Sequence, residues 1–375
     1  MKKTFSIVLV LVLVVSMLAG CTQSTPSTGE TPPAENTAPN ENKPVENASN
    51  NDGVIAKVGL GHITSIGKSK DLDGETTPVG QVDTTIAAVG FDKEGKVVNI
   101  TIDTAQTKVS FDKDLQLTSD VKAENKTKVE LKDGYGMVKA STIGKEWYQQ
   151  IEELEKWMVG KSVEEIKSLK VKERDASHKN VPDVPELTSL VTITVEGYIA
   201  AVEEAYNNAI EIGPRAEKLG LGHGISIGKS KGYANADGKE TLPVAQVDTT
   251  MALTAFDKDG KVVATLIDNA QTKINFDKDG KITSDKNADI KTKIELGADY
   301  GMKKASTIGK EWFEQIAEFE KWMVGKSVDE IKSLKVKERD ESHKNVPDVP
   351  ELTSTVTITV EGYIAAVEES FANAK

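Results

Sequence analysis

Apolar β-forming residues stand on both sides of an acidic, glycine-bearing turn. They run from Val82 to Phe91, cross Asp92-Lys93-Glu94-Gly95-Lys96, and continue from Val97 to Ile102. That pattern predicts a β-hairpin. A third strand is predicted at Thr107-Lys108-Val109-Ser110-Phe111, closed by an Asp-Lys-Asp turn. The period then changes. Trp147, Ile151, Leu154 and Trp157 or Met158 fall on one face of a helix that begins near Gly144 and ends at Gly160. Ser162-Val163-Glu164-Glu165 reads as a capping box for a short second helix. A polar, proline-bearing connection follows from Lys172 to Pro185, and a last helix is predicted from about Glu196 to Asn208. Strands first and helices packed afterwards predict an α+β fold, an antiparallel sheet followed by packed helices.

The whole pattern occurs twice. Gly59-Leu60-Gly61-His62 returns as Gly220-Leu221-Gly222-His223, and Ser162-Val163-Glu164-Glu165 as Ser327-Val328-Asp329-Glu330. From Gln81-Val82-Asp83 and Gln246-Val247-Asp248 onward the two copies align without a gap. A repeat this long is a whole domain and not a solenoid unit. The expected organisation is two tandem copies of one domain, residues 53–212 and 213–375.

The N-terminus reads as an address. Lys2-Lys3 precede an apolar run from Phe5 to Leu18, and Leu18-Ala19-Gly20-Cys21 follows. Residues 1–20 are expected to be a secretory signal, and the Leu-Ala-Gly-Cys ending resembles a bacterial lipobox. The resemblance implies lipidation of Cys21 and a location at the cell membrane, lipid-anchored on its extracytoplasmic face. After Cys21, the rest of residues 21–52 is Ser, Thr, Pro, Asn and Glu with almost nothing apolar, a linker composition.

Composition removes several function classes. A formal charge of −12 argues against nucleic acid as a partner. With Cys21 as the one cysteine, intramolecular disulfides, thiolate zinc sites and iron–sulfur clusters are excluded. The four histidines, His62, His178, His223 and His343, show no metal-ligand spacing, and no metal site is expected. His178 lies in a charged stretch and is expected to be solvated. Gly59-Leu60-Gly61-His62 lacks the third glycine of a dinucleotide loop and is weak evidence for phosphate binding. Turns such as Asp257-Lys258-Asp259-Gly260 have too few ligands for calcium and read as hairpin turns. No hydrolase signature occurs, and no catalytic residue is assigned.

One duplicated stretch remains. Glu186-Leu187-Thr188-Ser189-Leu190-Val191-Thr192-Ile193-Thr194-Val195-Glu196-Gly197 precedes the last helix of the first copy, and Glu351 to Gly362 repeats it. This stretch resembles the flavinylation motif of the FMN-binding domain family, with Leu190-Val191 and Thr355-Val356 where that family has Gly-Ala. The resemblance implies FMN joined by a phosphoester to Thr192 and Thr357, with Ser189, Ser354, Glu186 and Glu351 as motif residues and a flavin transferase as modifying enzyme. Thr142 and Thr307, in Ala-Ser-Thr-Ile, are alternative acceptors, although a helix cap ahead of Trp147 is the plainer account of that segment. Trp147, Trp157 and Tyr198, with Trp312, Trp322 and Tyr363, are candidates to flank the ring. The plan as a whole is similar to the flavinylated lipoproteins of extracellular electron transfer. It implies an electron carrier and not an enzyme, fed by a membrane quinol-oxidising donor and discharging to extracellular electron acceptors. Without the resemblance, Val191, Ile193 and Val195 alternating with threonines read as an edge strand. The chain would then be a duplicated surface binding or adhesion lipoprotein without cofactor.

Overall fold

The predicted hairpin forms, and its second arm is longer than the pattern suggested. In a computed structural model that describes residues 54–375, β1 (Ile55–Ser65) pairs antiparallel with β2 (Val79–Phe91), which pairs antiparallel with β3 (Val97–Ser110). The strand expected at Thr107 is thus the far end of β3, because Val79 to Phe91 supplies a partner along the entire length. The signal sequence, Cys21 and the linker lie outside the described residues.

Helical elements follow: α1 (Lys128–Leu131), a 3-10 turn at Lys132–Tyr135, α2 (Trp147–Met158) and α3 (Val163–Lys167). The short pair β4 (Val171–Lys172) and β5 (Val181–Pro182) leads to α4 (Glu196–Asn207). Ser162 accepts from Glu165 N–H and the Glu165 carboxylate accepts from Ser162 N–H, which is the expected capping box. α2 begins at Trp147 with Glu146 as its N-cap, so Ser141 and Thr142 do not cap it.

After β6 (Ile210–Ala216), the order recurs with β7 (Lys218–Ser226), β8 (Ala234–Ala236), β9 (Lys239–Thr241), β10 (Val244–Phe256) and β11 (Val262–Asn275). Then come α5 (Lys293–Leu296), a 3-10 turn at Gly297–Tyr300, α6 (Trp312–Met323), α7 (Val328–Lys332), β12 (Val336–Lys337), β13 (Val346–Pro347) and α8 (Glu361–Ala372). The two main sheets run β3-β2-β1-β6 and β11-β10-β7. Mixed α/β structure on antiparallel sheets is the architecture. Turns such as Asp257–Gly260 are Asx turns, the Asp257 carboxylate accepting from Asp259 N–H and Lys261 N–H.

Each sheet is buried on both faces. On β2, Ala87, Val89 and Phe91 point into a core built with α2 and α4, while Ile86 and Ala88 point the other way. Those two meet Met251, Leu253 and Ala255 of β10, so the sheets of the two halves pack on each other. Phe111 and Phe276 meet edge to face at 5.3 Å at one end of this seam. Double burial explains why β2 reads as a nearly continuous apolar run and not as an alternation. The described residues, 54–375, accordingly belong to one compact unit.

Helices α4 and α8 lie directly on β1 and β7. A Cβ at Gly59 would come within 1.8 Å of Ala205 O, and one at Gly61 within 2.1 Å of Ala201 O. Gly220 and Gly222 face Ser370 O and Ala366 O in the same way, at 1.8 and 1.9 Å. The Gly-Leu-Gly-His repeats are therefore mid-strand residues that let a helix backbone touch a strand, and no phosphate loop is formed.

Candidate functional site

The hydroxyl-bearing segment is no strand. Residues 185–190 form turns, and residues 191–195 lead irregularly into α4 with no strand partner. Val191, Ile193 and Val195 are all buried, and Thr192 between them is 8% exposed. Alternation without a partner strand places apolar residues in the core and leaves the threonines to be satisfied individually. Gln150 on α2 does this for Thr192, its Oε1 accepting from Thr192 N–H at 2.8 Å and from Thr192 Oγ1 at 3.2 Å. Gln315 treats Thr357 identically, with distances of 2.8 and 3.2 Å.

The same glutamine reaches the alternative segment. Gln150 Nε2 donates to Ser141 Oγ at 3.2 Å, and Gln315 Nε2 to Ser306 Oγ at 3.2 Å. Sequence reasoning treated these two hydroxyl segments as rivals, and the fold makes them neighbours. Thr142 and Thr307 are exposed, as are Ser189, Ser354, Glu186 and Glu351. Two residues beyond each acceptor candidate, Thr194 Oγ1 and Thr359 Oγ1 are buried with no hydrogen-bond partner among the described residues. A buried hydroxyl left unbonded costs about 1–3 kcal/mol. Both halves keep this defect.

An outer chain of contacts steadies the segment. Arg174 Nη1 donates to Thr192 O at 2.8 Å, Arg174 Nε pairs with Asp175, and His178 Nδ1 lies 2.7 Å from Asp175 Oδ1. His178 was expected to be merely solvated. Its hydrogen bond, followed by that of Arg174, holds the Asp175 carboxyl down at about 2.

Aromatic groups lie along the same helices. Trp147 Nε1 donates to Tyr198 OH at 2.8 Å, the rings meeting edge to face at 5.9 Å. The ammonium of Lys128 sits 4.9 Å from the Tyr135 ring centre and 5.1 Å from that of Trp147. Burial pulls that amine down to about 8, with Asp83 opposing. Lys293 repeats the arrangement over Tyr300 and Trp312. Beside it a hollow of about 300 Å³ is lined by Lys273, Lys291, Lys293, Tyr300 and the carboxylate-bearing Asp299. Trp157 packs partly buried at the core margin under the Lys161 ammonium, 4.6 Å from its ring, away from this group.

The seam carries charge that the sequence did not disclose. His62 on β1 places Nδ1 2.9 Å from Glu204 of its own half and Nε2 3.3 Å from Glu295 of the other. His223 reciprocates with Glu369 of its own half at 3.3 Å, and with Asp103 and Glu130 of the other at 3.5 and 3.9 Å. One imidazole and two carboxylates come within 4.8 Å in each cluster, a donor set never suggested by linear spacing. Burial works to lower the pKa of His62, but the Glu204 hydrogen bond and the surrounding carboxylates outweigh it and raise the ring above 6.5. Each cluster sets an imidazole between carboxylates of both halves, an arrangement that serves as an ion pair when the ring is protonated and offers three donor atoms when it is not.

Comparison with family models, with curated proteins and with solved structures finds no match for this chain.

Proposed function

We propose that this chain is a membrane-tethered electron carrier built from two copies of one domain, each carrying FMN covalently on the threonine ahead of its last helix, Thr192 and Thr357. The observation that carries the reading is the state of that segment. In both halves it pairs with no strand despite its alternation, and in both it buries an unbonded hydroxyl two residues past the acceptor.

The residues present are compatible with the group. Esterifying Thr192 Oγ1 would end its hydrogen bond to Gln150, yet Gln150 Oε1 would still accept from Thr192 N–H. The loss is one bond worth about 1 kcal/mol, and the loop keeps its place. Thr192 is only 8% exposed, so its hydroxyl must turn outward to be modified. In the second half, Lys293 links the lysine-lined hollow to Trp312, Trp312 bonds Tyr363, and Gln315, one turn along α6, holds Thr357. Three ammonium groups against the single Asp299 carboxylate, with an aromatic line beside them, suit a phosphate and a flat ring. When bound, the isoalloxazine supplies the electron transfer. The chain's own part is to hold it without relying on affinity, which suits a protein in dilute surroundings. Donor and acceptor are proposed as a membrane quinol-oxidising complex and extracellular electron acceptors.

A second reading rests on the seam. The reciprocal His-carboxylate clusters and the paired sheets account for the duplication without any cofactor, as in a duplicated surface binding or adhesion module. Protein purified from its native host separates the two. The first reading expects yellow colour that survives denaturation, and a mass raised by one FMN less water at each of Thr192 and Thr357. Colourless protein of unmodified mass from a host that flavinylates other proteins refutes it.

A further inference from the structure

One cross-half contact at the seam lacks its counterpart on the other side and leaves a space there. On one side Lys375 reaches Glu155, Nζ to Oε2 3.0 Å. Glu155 is 6% exposed, and its other oxygen accepts from Ile102 N–H at 2.6 Å. Lys375 takes its position by pairing its backbone with Leu219 on β7, as Ile210 pairs with Val58 on β1. On the other side, Ile210 therefore stands where Lys375 stands. Glu320 stands where Glu155 does, its Oε1 accepting from Ile267 N–H at 2.6 Å. Among the described residues no cation pairs with Glu320; the adjacent Lys321 is turned to Glu318 at 3.1 Å. What the missing lysine leaves is a cavity of about 290 Å³, walled by Leu60, Ile210, Leu266 and Ile294, with Asp268 and Glu320 as its charged groups.

We propose that this cavity binds a primary aliphatic amine, its ammonium on Glu320 in the position that Lys375 holds on Glu155 and its methylene stem along the apolar wall. The protein itself displays the occupant chemistry on the mirrored side. A carboxylate withdrawn from water is costly when alone and is compensated by a paired ammonium, and the apolar wall rewards a stem of several methylenes. The volume sits at the lower end of the roughly 300–1,000 Å³ usual for ligand pockets, which fits an amine and not a large metabolite. Burial raises the Glu320 carboxyl to about 8, with Asp268 adding to the shift and Lys321 opposing it. The other charged groups nearby are His62 on β1, Glu204 on α4 and Glu295 on α5, all engaged with one another. An arriving ammonium thus displaces a proton from Glu320, and affinity rises with pH until the carboxyl ionises unaided.

Calorimetric titration of the full chain with n-butylammonium chloride tests the site. Wild type is expected to bind one equivalent saturably in the millimolar range or tighter, with a proton released at neutral pH. Glu320→Gln, which keeps shape and fold, should weaken binding at least tenfold. Lys375→Ile should open the mirrored cavity and give two equivalents. n-Butanol should not compete, and Nα-acetyl-lysine N-methylamide assigns the source, competing if the natural occupant is a lysine side chain of a polypeptide and failing if it is a free amine. No saturable binding by wild type, or undiminished binding by Glu320→Gln, overturns the proposal. Should Lys375→Ile fail to fold, the Glu320→Gln comparison decides alone.

Discussion

Replacing Gly61 by alanine asks whether the helix-on-strand contact is what the Gly-Leu-Gly-His repeat is for. The added Cβ would lie 2.1 Å from Ala201 O, and the same change at Gly59 would place it 1.8 Å from Ala205 O. These are backbone atoms of α4 and cannot rotate away, so the helix must retreat by about 1.3 Å at Gly61 and about 1.6 Å at Gly59 to restore ordinary contact. A gap of that size forfeits more than a quarter to a half of the dispersion contact beneath it. Tyr198, Ala201, Val202 and Ala205 are the buried residues lifted by the move. Overpacking against flexible side chains costs about 1–3 kcal/mol, and displacing a helix carries the expected loss to about 3–5 kcal/mol for either variant. Urea unfolding followed by far-ultraviolet circular dichroism measures it. Gly197→Ala is the control, since Gly197 sits in α4 with nothing within 4 Å of its Cβ position. It should gain about 0.5–1 kcal/mol from helix propensity. If Gly61→Ala stays within about 1 kcal/mol of wild type, the close-contact account is wrong and the repeat needs another explanation.

Three further outcomes follow from the seam. His62 and His223 both have raised pKa values, so their stabilisation is complete below 6.5 and is lost as pH rises through the folded value. His62→Gln and His223→Gln should each flatten the fall in urea midpoint between about pH 6 and about pH 9, and an unchanged slope counts against the ion pairs. Lys375→Ile removes the cation from buried Glu155, whose carboxyl is already raised above 4.5 by burial. That variant should lose about 1–3 kcal/mol near neutrality and progressively less as pH falls toward the ordinary carboxylate range, where Glu155 is protonated. A uniform loss at every pH would contradict this. Gly80→Val places a side chain against Ala245, whose Cβ is 2.3 Å from the Gly80 Cβ position. It should destabilise both halves together by about 2 kcal/mol, and independent unfolding of one half would argue against a shared core.

The local grammar of the chain was readable. The hairpin, the capping boxes at Ser162 and Ser327, and the helices ahead of Gly160 and Asn208 all follow from short-range pattern, and short-range physics decides them. What the pattern could not reveal depends on contacts far apart in sequence. Thr192 and Val191 alternate like a strand, but the segment pairs with none and is held instead by Gln150, 42 residues away. His62 has no ligand-like neighbour in sequence because its partners, Glu204 and Glu295, come from two different halves. A signal did exist for part of this. Lys128 and Lys293 recur inside Lys-Thr-Lys-Val-Glu-Leu and Lys-Thr-Lys-Ile-Glu-Leu, and a lysine kept twice beside apolar positions invites a search for its cage.

The sheet-to-sheet seam bears on how such a molecule could have come about. Its contacts are reciprocal, His62 with Glu295 and His223 with Glu130, which is what a symmetric homodimer makes across its axis. A single-copy ancestor with this sheet face would have needed a second molecule to cover it. Joining the partners in one polypeptide removes that concentration requirement and frees the two positions to mutate separately. Ile210 and Lys375 hold corresponding places on either side of the seam, one beside an open cavity and the other seated on Glu155.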